Sequence, residues 1–249
     1  MNMNYAYLTD VGRVRSHNED AVAIFKNEHL LVMVAADGMG GHTSGDVASA
    51  MAIDCIKNNF SEELTFVNKE LVGEWFNKIL MDINEKILTY SRKIGTQKMG
   101  TTLVIAVVTK DFIAIANIGD SRAYVMAYET LRQVTKDHTF VRELVDMGQI
   151  SERAAKVHPR KNVINKALGA SPVLEFDFLT LENYEIDAIL LCTDGLSGLV
   201  DDREILSILK SDESLDEMVK NLISKANERG GRDNVSVVLA RIDKGGEDL

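Results

Sequence analysis

Four aspartates stand at the ends of apolar, strand-like runs. Val32 to Ala36 leads into Asp37-Gly38, Ile113 to Ile118 into Gly119-Asp120, and Ile189 to Cys192 into Thr193-Asp194-Gly195; Asp233-Asn234 opens the run Val235 to Ala240. Carboxylates at the ends of buried strands can converge above a sheet, where they repel one another unless a cation sits between them. A single Asp-Gly pair is more often a hairpin turn than a ligand. Four aspartates in register with apolar segments, together with Glu19-Asp20 after a basic residue, favour a metal site. Any such metal would be held by oxygen, because there is no Cys-x-x-Cys and the five histidines are scattered. That favours magnesium, manganese or calcium over zinc.

Several other chemistries fail at the residue level. Gly40 and Gly45 have phosphate-loop spacing, but Asp46 and Val47 stand where Lys and Ser or Thr are required. Thr43 takes the place of the third glycine of a dinucleotide fingerprint. Neither cysteine has an arginine six residues on, and no Asp-x-Asp pair exists, so covalent catalysis is disfavoured. What remains is attack by a metal-bound water between two cations about 3.5 to 4 Å apart. Asp37 could bridge them, Asp194 and Asp233 could hold one ion, and Arg15 could grip a phosphate bidentately.

The elements that must position these residues follow from periodicity. Strand patterns cover roughly Tyr5 to Thr9, Ala21 to Phe25, Leu30 to Ala36, Thr102 to Thr109, Ile113 to Ile118, Ala123 to Tyr128, Leu174 to Leu181, Ile189 to Cys192 and Val235 to Ile242. Thr43 with Asp46 has capping-box spacing ahead of one helix. A second helix spans about Lys69 to Ser91, with Leu71, Trp75, Phe76, Ile79, Ile83 and Ile87 on its apolar face. A later pair covers about Asp202 to Leu209 and Leu215 to Asn227. Strand groups broken by helix pairs predict an α+β layered fold. Short helices near Phe140 to Met147 and from Ser151 to before Pro159 mark a small flap insertion at about 138–172. The expectation is a single domain over 1–243 with a frayed tail at 244–249.

Composition excludes some classes. The net charge of -10, with no cluster of Lys and Arg, argues against a nucleic-acid partner. No apolar run approaches the roughly 18 residues of a membrane span, and Met1 to Thr9 lacks a basic leader, so a cytoplasmic location is expected. Cys55 and Cys192 sit in apolar segments and read as buried free thiols rather than a disulfide.

Six stretches, in order, carry a family resemblance: Arg15-Ser16-His17-Asn18-Glu19-Asp20, Ala36 to His42, Met99-Gly100-Thr101-Thr102, Gly119-Asp120-Ser121-Arg122, Thr193-Asp194-Gly195 and Asp233-Asn234-Val235. The chain resembles the metal-dependent serine/threonine protein phosphatases of type 2C, in their compact bacterial single-domain branch, from about Thr9 to Ala240. The resemblance implies two antiparallel β-sheets packed as a central sandwich, with helix pairs on the outer faces and a metal centre at one end. It implies two to three Mn2+ or Mg2+ ions. Asp37 would bridge two of them, the Gly38 carbonyl would bind one and Asp194 with Asp233 the other. Glu19 and Asp20 would act mostly through coordinated waters, and Asp120 with Asp194 would hold a weaker third ion. Arg15 would bind the phosphoryl group.

Met39 replaces the histidine that many eukaryotic members place after Asp-Gly. His42 is then a candidate general acid, with capping of the following helix as its other reading and a water on the third ion as the other acid. The implied partners are phosphorylated proteins and an opposing serine/threonine kinase. Two competing readings remain: a catalytically silent phosphoprotein-binding module, disfavoured by the complete ligand set, and a hydrolase of small phosphate esters.

Overall fold

A computed structural model describes residues 3–40, 44–96 and 99–242. In chain order the elements are β1 (Asn4–Asp10), β2 (Asp20–Lys26), β3 (Leu30–Gly40), α1 (Gly45–Asn58), α2 (Lys69–Ile94), β4 (Met99–Thr101), β5 (Leu103–Thr109), β6 (Phe112–Ile118), β7 (Arg122–Ala127), β8 (Thr130–Gln133), α3 (Phe140–Asp146), α4 (Glu152–Val157), β9 (Asp177–Glu182), β10 (Ala188–Cys192), α5 (Asp194–Ser197), α6 (Asp202–Leu209), α7 (Leu215–Glu228) and β11 (Val235–Arg241). The strands form two antiparallel sheets, ordered β1-β11-β10-β7-β8 and β2-β3-β5-β6-β9, with β4 paired to β3.

Alternation along each strand explains the layering. In β3, Leu31, Met33 and Ala35 face Val125, Ile189, Leu191 and Val238 of the other sheet, while Leu30, Val32 and Val34 face Phe76, Ile79 and Ile83 of α2. On the far side, Leu190, Val237 and Leu239 pack against Ile205, Met218 and Leu222 of α6 and α7. The central strands are thus covered on both faces. That is why β3, β5 and β6 read as unbroken apolar runs rather than as alternating ones. The expected helix–sheet–sheet–helix architecture is what forms. Cys55 and Cys192 are both buried and free.

Helix ends follow local chemistry. Asn68 caps α2 by accepting from the Leu71 N–H, and Gly95 closes it at φ 72°. Ser214 and Glu217 form a reciprocal capping box on α7. At α1 the N-cap is Ser44, and the Asp46 carboxylate accepts from the Val47 N–H. Thr43 itself and the tail 244–249 lie outside the described residues.

Other expectations need correction. β9 starts at Asp177, because Leu174 and Phe176 turn aside to pack on the helix-covered core. Tyr128 belongs not to β7 but to a tight turn in which it and Glu129 both take positive φ, 48° and 59°. The strand that this turn starts, β8, alternates exposed and half-buried residues and so lacked an apolar signature. β3 runs past the expected end at Ala36, through Asp37-Gly38 to Gly40. Leu71 is 40% exposed while Phe76 is fully buried, so Leu71 stands at the margin of the α2 face. Accordingly Phe76→Ala should cost about 3–5 kcal/mol in urea unfolding and Leu71→Ala less than about 1 kcal/mol; comparable losses would contradict this packing.

Candidate metal centre

Register brings the first two carboxylates together. Asp20 and Asp37 are directly paired across β2 and β3, both at the same end of the sandwich. Asp194 opens the short helix α5 immediately after β10, and Asp233 immediately precedes β11, the strand beside β10. Asp120 stands in the turn from β6 to β7. Asp194 and Asp37 stand close enough to perturb each other's charge.

The backbone beneath is fixed by side-chain hydroxyls and amides. The Asp37 N–H donates to Thr102 Oγ1 at 3.0 Å, and its carbonyl accepts from the Thr102 N–H at 2.9 Å. Asp20 Oδ2 accepts from Thr193 Oγ1 at 2.8 Å and Ser236 Oγ at 2.7 Å, tying one sheet to the other. Asn234 accepts the Glu19 N–H and donates to the Val11 and His17 carbonyls. Gly38 donates its N–H to the Glu19 carbonyl; a Cβ there would stand 2.1 Å from the Gly45 carbonyl oxygen, so only glycine fits. At the rim, Arg15 donates to Asp233 Oδ2 at 2.9 Å with both side chains part-exposed.

These surroundings perturb the acids in one direction. Burial first, and the neighbouring carboxylates second, push Asp20 up to about 7 and hold Asp37 well above the usual range. Asp120 is likewise pushed up to about 7, by burial and then Asp194, and Asp194 is raised by burial and Asp233. Arg15 is raised by its bond to Asp233. Among the described residues no three His, Cys, Asp or Glu side chains form a closed ligating group. The fit to a hard cation rests instead on the donors: every converging side chain is a carboxylate, and the buried Asp120 Oδ1 has no hydrogen-bond partner.

The structure therefore gathers Arg15, Glu19, Asp20, Asp37, Gly38, Asp120, Asp194 and Asp233 at one end of the sandwich, while His42 lies outside the described residues. Sequence reading missed the supports. Thr102, Thr193 and Asn234 lay inside quoted motifs without a role, and Ser236 carried no signal beyond its place in an apolar strand.

The family profile of Protein phosphatase 2C matches residues 12–240. The chain belongs to the protein phosphatase 2C family. It is 41% identical over 239 residues to the serine/threonine phosphatase stp of Listeria welshimeri, with 95% of each chain covered. It is 35% identical to the protein phosphatase PhpP of Streptococcus pneumoniae, covering 97% of this chain and 98% of the other. The serine/threonine phosphatase Stp1 from Staphylococcus aureus superposes with a TM-score of 0.91 at 35% identity, covering 98% and 96% of the two chains. The resemblance read from six motifs is thus borne out, and this protein phosphatase 2C chain is an enzyme rather than a silent module. Phosphatases of this family are generally metal-dependent, in keeping with a pocket of buried carboxylates.

The raised acids set the sign of a pH dependence. A carboxyl at about 7 when folded and near about 3.9 when unfolded binds more protons in the native state between those values. The stability it contributes is complete below about pH 4 and is lost as pH rises toward about 7. In chelator the chain should therefore melt higher at pH 5 than at pH 7.5. At pH 7.5 in chelator, Asp194→Asn should melt about 2–4 °C or more above the unsubstituted chain. Melting temperatures insensitive to both changes would remove the repulsion argument.

Proposed function

We propose that this phosphatase releases phosphate from phosphoserine and phosphothreonine in proteins at a centre of two to three Mn2+ or Mg2+ ions. The observation that carries the proposal is the convergence of six carboxylates, buried, half-buried or at the rim, beside one part-exposed guanidinium. Asp37 and the Gly38 carbonyl, with Asp194 and Asp233, are the groups that would hold two ions. Asp20 and Glu19 would act mostly through waters, and Asp120 with Asp194 would hold a weaker third. Bound there, hard cations supply Lewis-acid polarisation of phosphoryl oxygens and lower the pKa of water.

The chain's own residues do the rest. Arg15 uses one arm on Asp233 and presents its remaining N–H donors at the rim, where a phosphoryl group can take two of them. The bond to Asp233 holds the guanidinium at the rim, so the anionic substrate is drawn to the edge of an otherwise acidic site. Residues 1–243 act as one catalytic unit, with the flap at about 138–172 bordering the site. An opposing serine/threonine kinase supplies the substrates, and both work in the cytoplasm. Among the described residues no helix is long and apolar enough to cross a membrane.

The leaving alkoxide needs a proton, and we assign that role to His42. A serine or threonine alkoxide is a poor leaving group without a proton, whereas p-nitrophenolate leaves unaided. His42→Gln should therefore lower kcat on a phosphothreonine peptide far more than on p-nitrophenyl phosphate. Equal losses on both would return His42 to a capping role.

The whole reading is tested by phosphate release from a phosphothreonine peptide with Mn2+, with and without chelator. Release should vanish in chelator and fall by at least about 100-fold in Asp194→Asn. A folded, Mn2+-loaded chain that releases nothing from the peptide but turns over p-nitrophenyl phosphate would favour the small-ester reading.

A further inference from the structure

His138 is a buried histidine that the proposed chemistry does not use, yet it grips the turn that carries Asp120 from both sides of one residue. Its N–H donates to the Gly119 carbonyl at 2.9 Å, and its Nδ1 accepts the Gly119 N–H at 3.1 Å. A ring whose Nδ1 accepts carries its proton on Nε2, which lies 3.2 Å from Asp177 Oδ2 at the start of β9, close but not aligned as a hydrogen bond. The other side of Gly119 is closed as well. At φ 105° its backbone lies so near Thr102 that a Cβ would stand 2.5 Å from the Thr102 methyl, and Thr102 is the residue whose hydroxyl holds the Asp37 N–H. The Asn117 amide donates across the same turn to the Lys136 carbonyl at 3.2 Å. His138 also begins the flap, whose base closes through the Asn165 N–H to the His138 carbonyl at 2.9 Å and the Phe140 N–H to the Val163 carbonyl at 2.8 Å.

We infer that His138 is a positioning residue for Asp120: by binding both backbone groups of Gly119 it sets where the Asp120 carboxylate stands relative to Asp37 and Asp194. The inference rests on the reading of Asp120 as a cation ligand. Asp120 has one buried oxygen without a partner, and its carboxylate is otherwise tied to its own backbone, so its placement follows that of the turn. A buried imidazole between two strands does this rigidly because it has few rotamers and its acceptor faces one donor only.

The test is calorimetric titration of Mn2+ into the metal-free chain, a readout independent of turnover. Asp120→Asn should lose the weakest binding event. His138→Leu should weaken that same event about tenfold and leave the tighter events and the KM for a phosphothreonine peptide unchanged. His138→Asn, whose Oδ1 reaches the place of Nδ1, should restore it, whereas His138→Gln, which places its acceptor at the Nε2 end, should not. His138→Leu that titrates as the unsubstituted chain does, or that weakens all events equally with a lower Tm in chelator, would overturn the inference. Should His138→Leu not fold, the Asn and Gln variants decide, and equal titrations for them would overturn it too. If Asp120→Asn titrates unchanged, the ligand role of Asp120 fails and the positioning role falls with it. That outcome is distinct from one in which Asp120→Asn loses the event and His138→Leu does not.

Discussion

The mutual repulsion of carboxylates buried at one end of the sandwich is the constraint to which the rest of the structure answers. Asp20 is buried, Asp37 and Asp194 are half-buried, and all three are raised, while of the aspartates gathered here Asp233 is the one bonded to a cationic side chain, the part-exposed Arg15. Burying one unpaired carboxylate costs several kcal/mol. Crowding three buried or half-buried carboxylates against one another is tolerated only where protons or cations share the site. The native state therefore stores a preference for positive charge. A substrate carrying a phosphoryl group is repelled by the bare pocket and welcomed by the loaded one, so binding of ion and of substrate are linked through the same charges.

Such a site can exist only on a scaffold that does not yield. Both faces of β3 and β5 are buried, so the strand that carries Asp37 cannot shift register without exposing an entire apolar face. The two sheets are then locked to each other at the acidic end by uncharged groups. Thr193 and Ser236 both donate to Asp20, joining β2 to β10 and β11, and Thr102 joins β3 to the turn after β6 through Ser121. Hydroxyls suit this work because they donate to a carboxylate without neutralising it. A lysine or arginine in their place would satisfy the same oxygens and remove the need for a metal.

Much of this was legible in the sequence for identifiable reasons. Aspartates at the ends of doubly buried strands stand out because an unbroken apolar run makes its polar terminus conspicuous. The capping residues Asn68 and Ser214 follow local rules. What escaped was non-local or weakly patterned. Ser236 donates to a residue 216 positions away, and no window of sequence contains both. β8 pairs only with β7 at a sheet edge, so it needs no apolar pattern. β3 extends through Asp37-Gly38 to Gly40, past the end of its apolar run at Ala36. There the glycine serves the close approach of α1's first residue, a tertiary demand that overrides the local preference.

The flap is held differently at its roots and in its interior. Its roots are held by buried contacts: His138 on Gly119, Asn84 of α2 on the Gly169 N–H and the Ser171 carbonyl, and Leu168 paired with Thr101. Its interior is held by part-exposed ion pairs, Arg142 with Asp146 and Glu152 and Lys136 with Asp146. Pairs of that kind contribute roughly 0–1 kcal/mol each and weaken with salt, whereas a buried polar group stripped of its partner costs about 1–3 kcal/mol. Rearranging the interior is therefore cheaper than moving either root. Sequence change in the interior can alter the flap's surface while its roots, and the Gly119-Asp120 turn that His138 holds, stay in place.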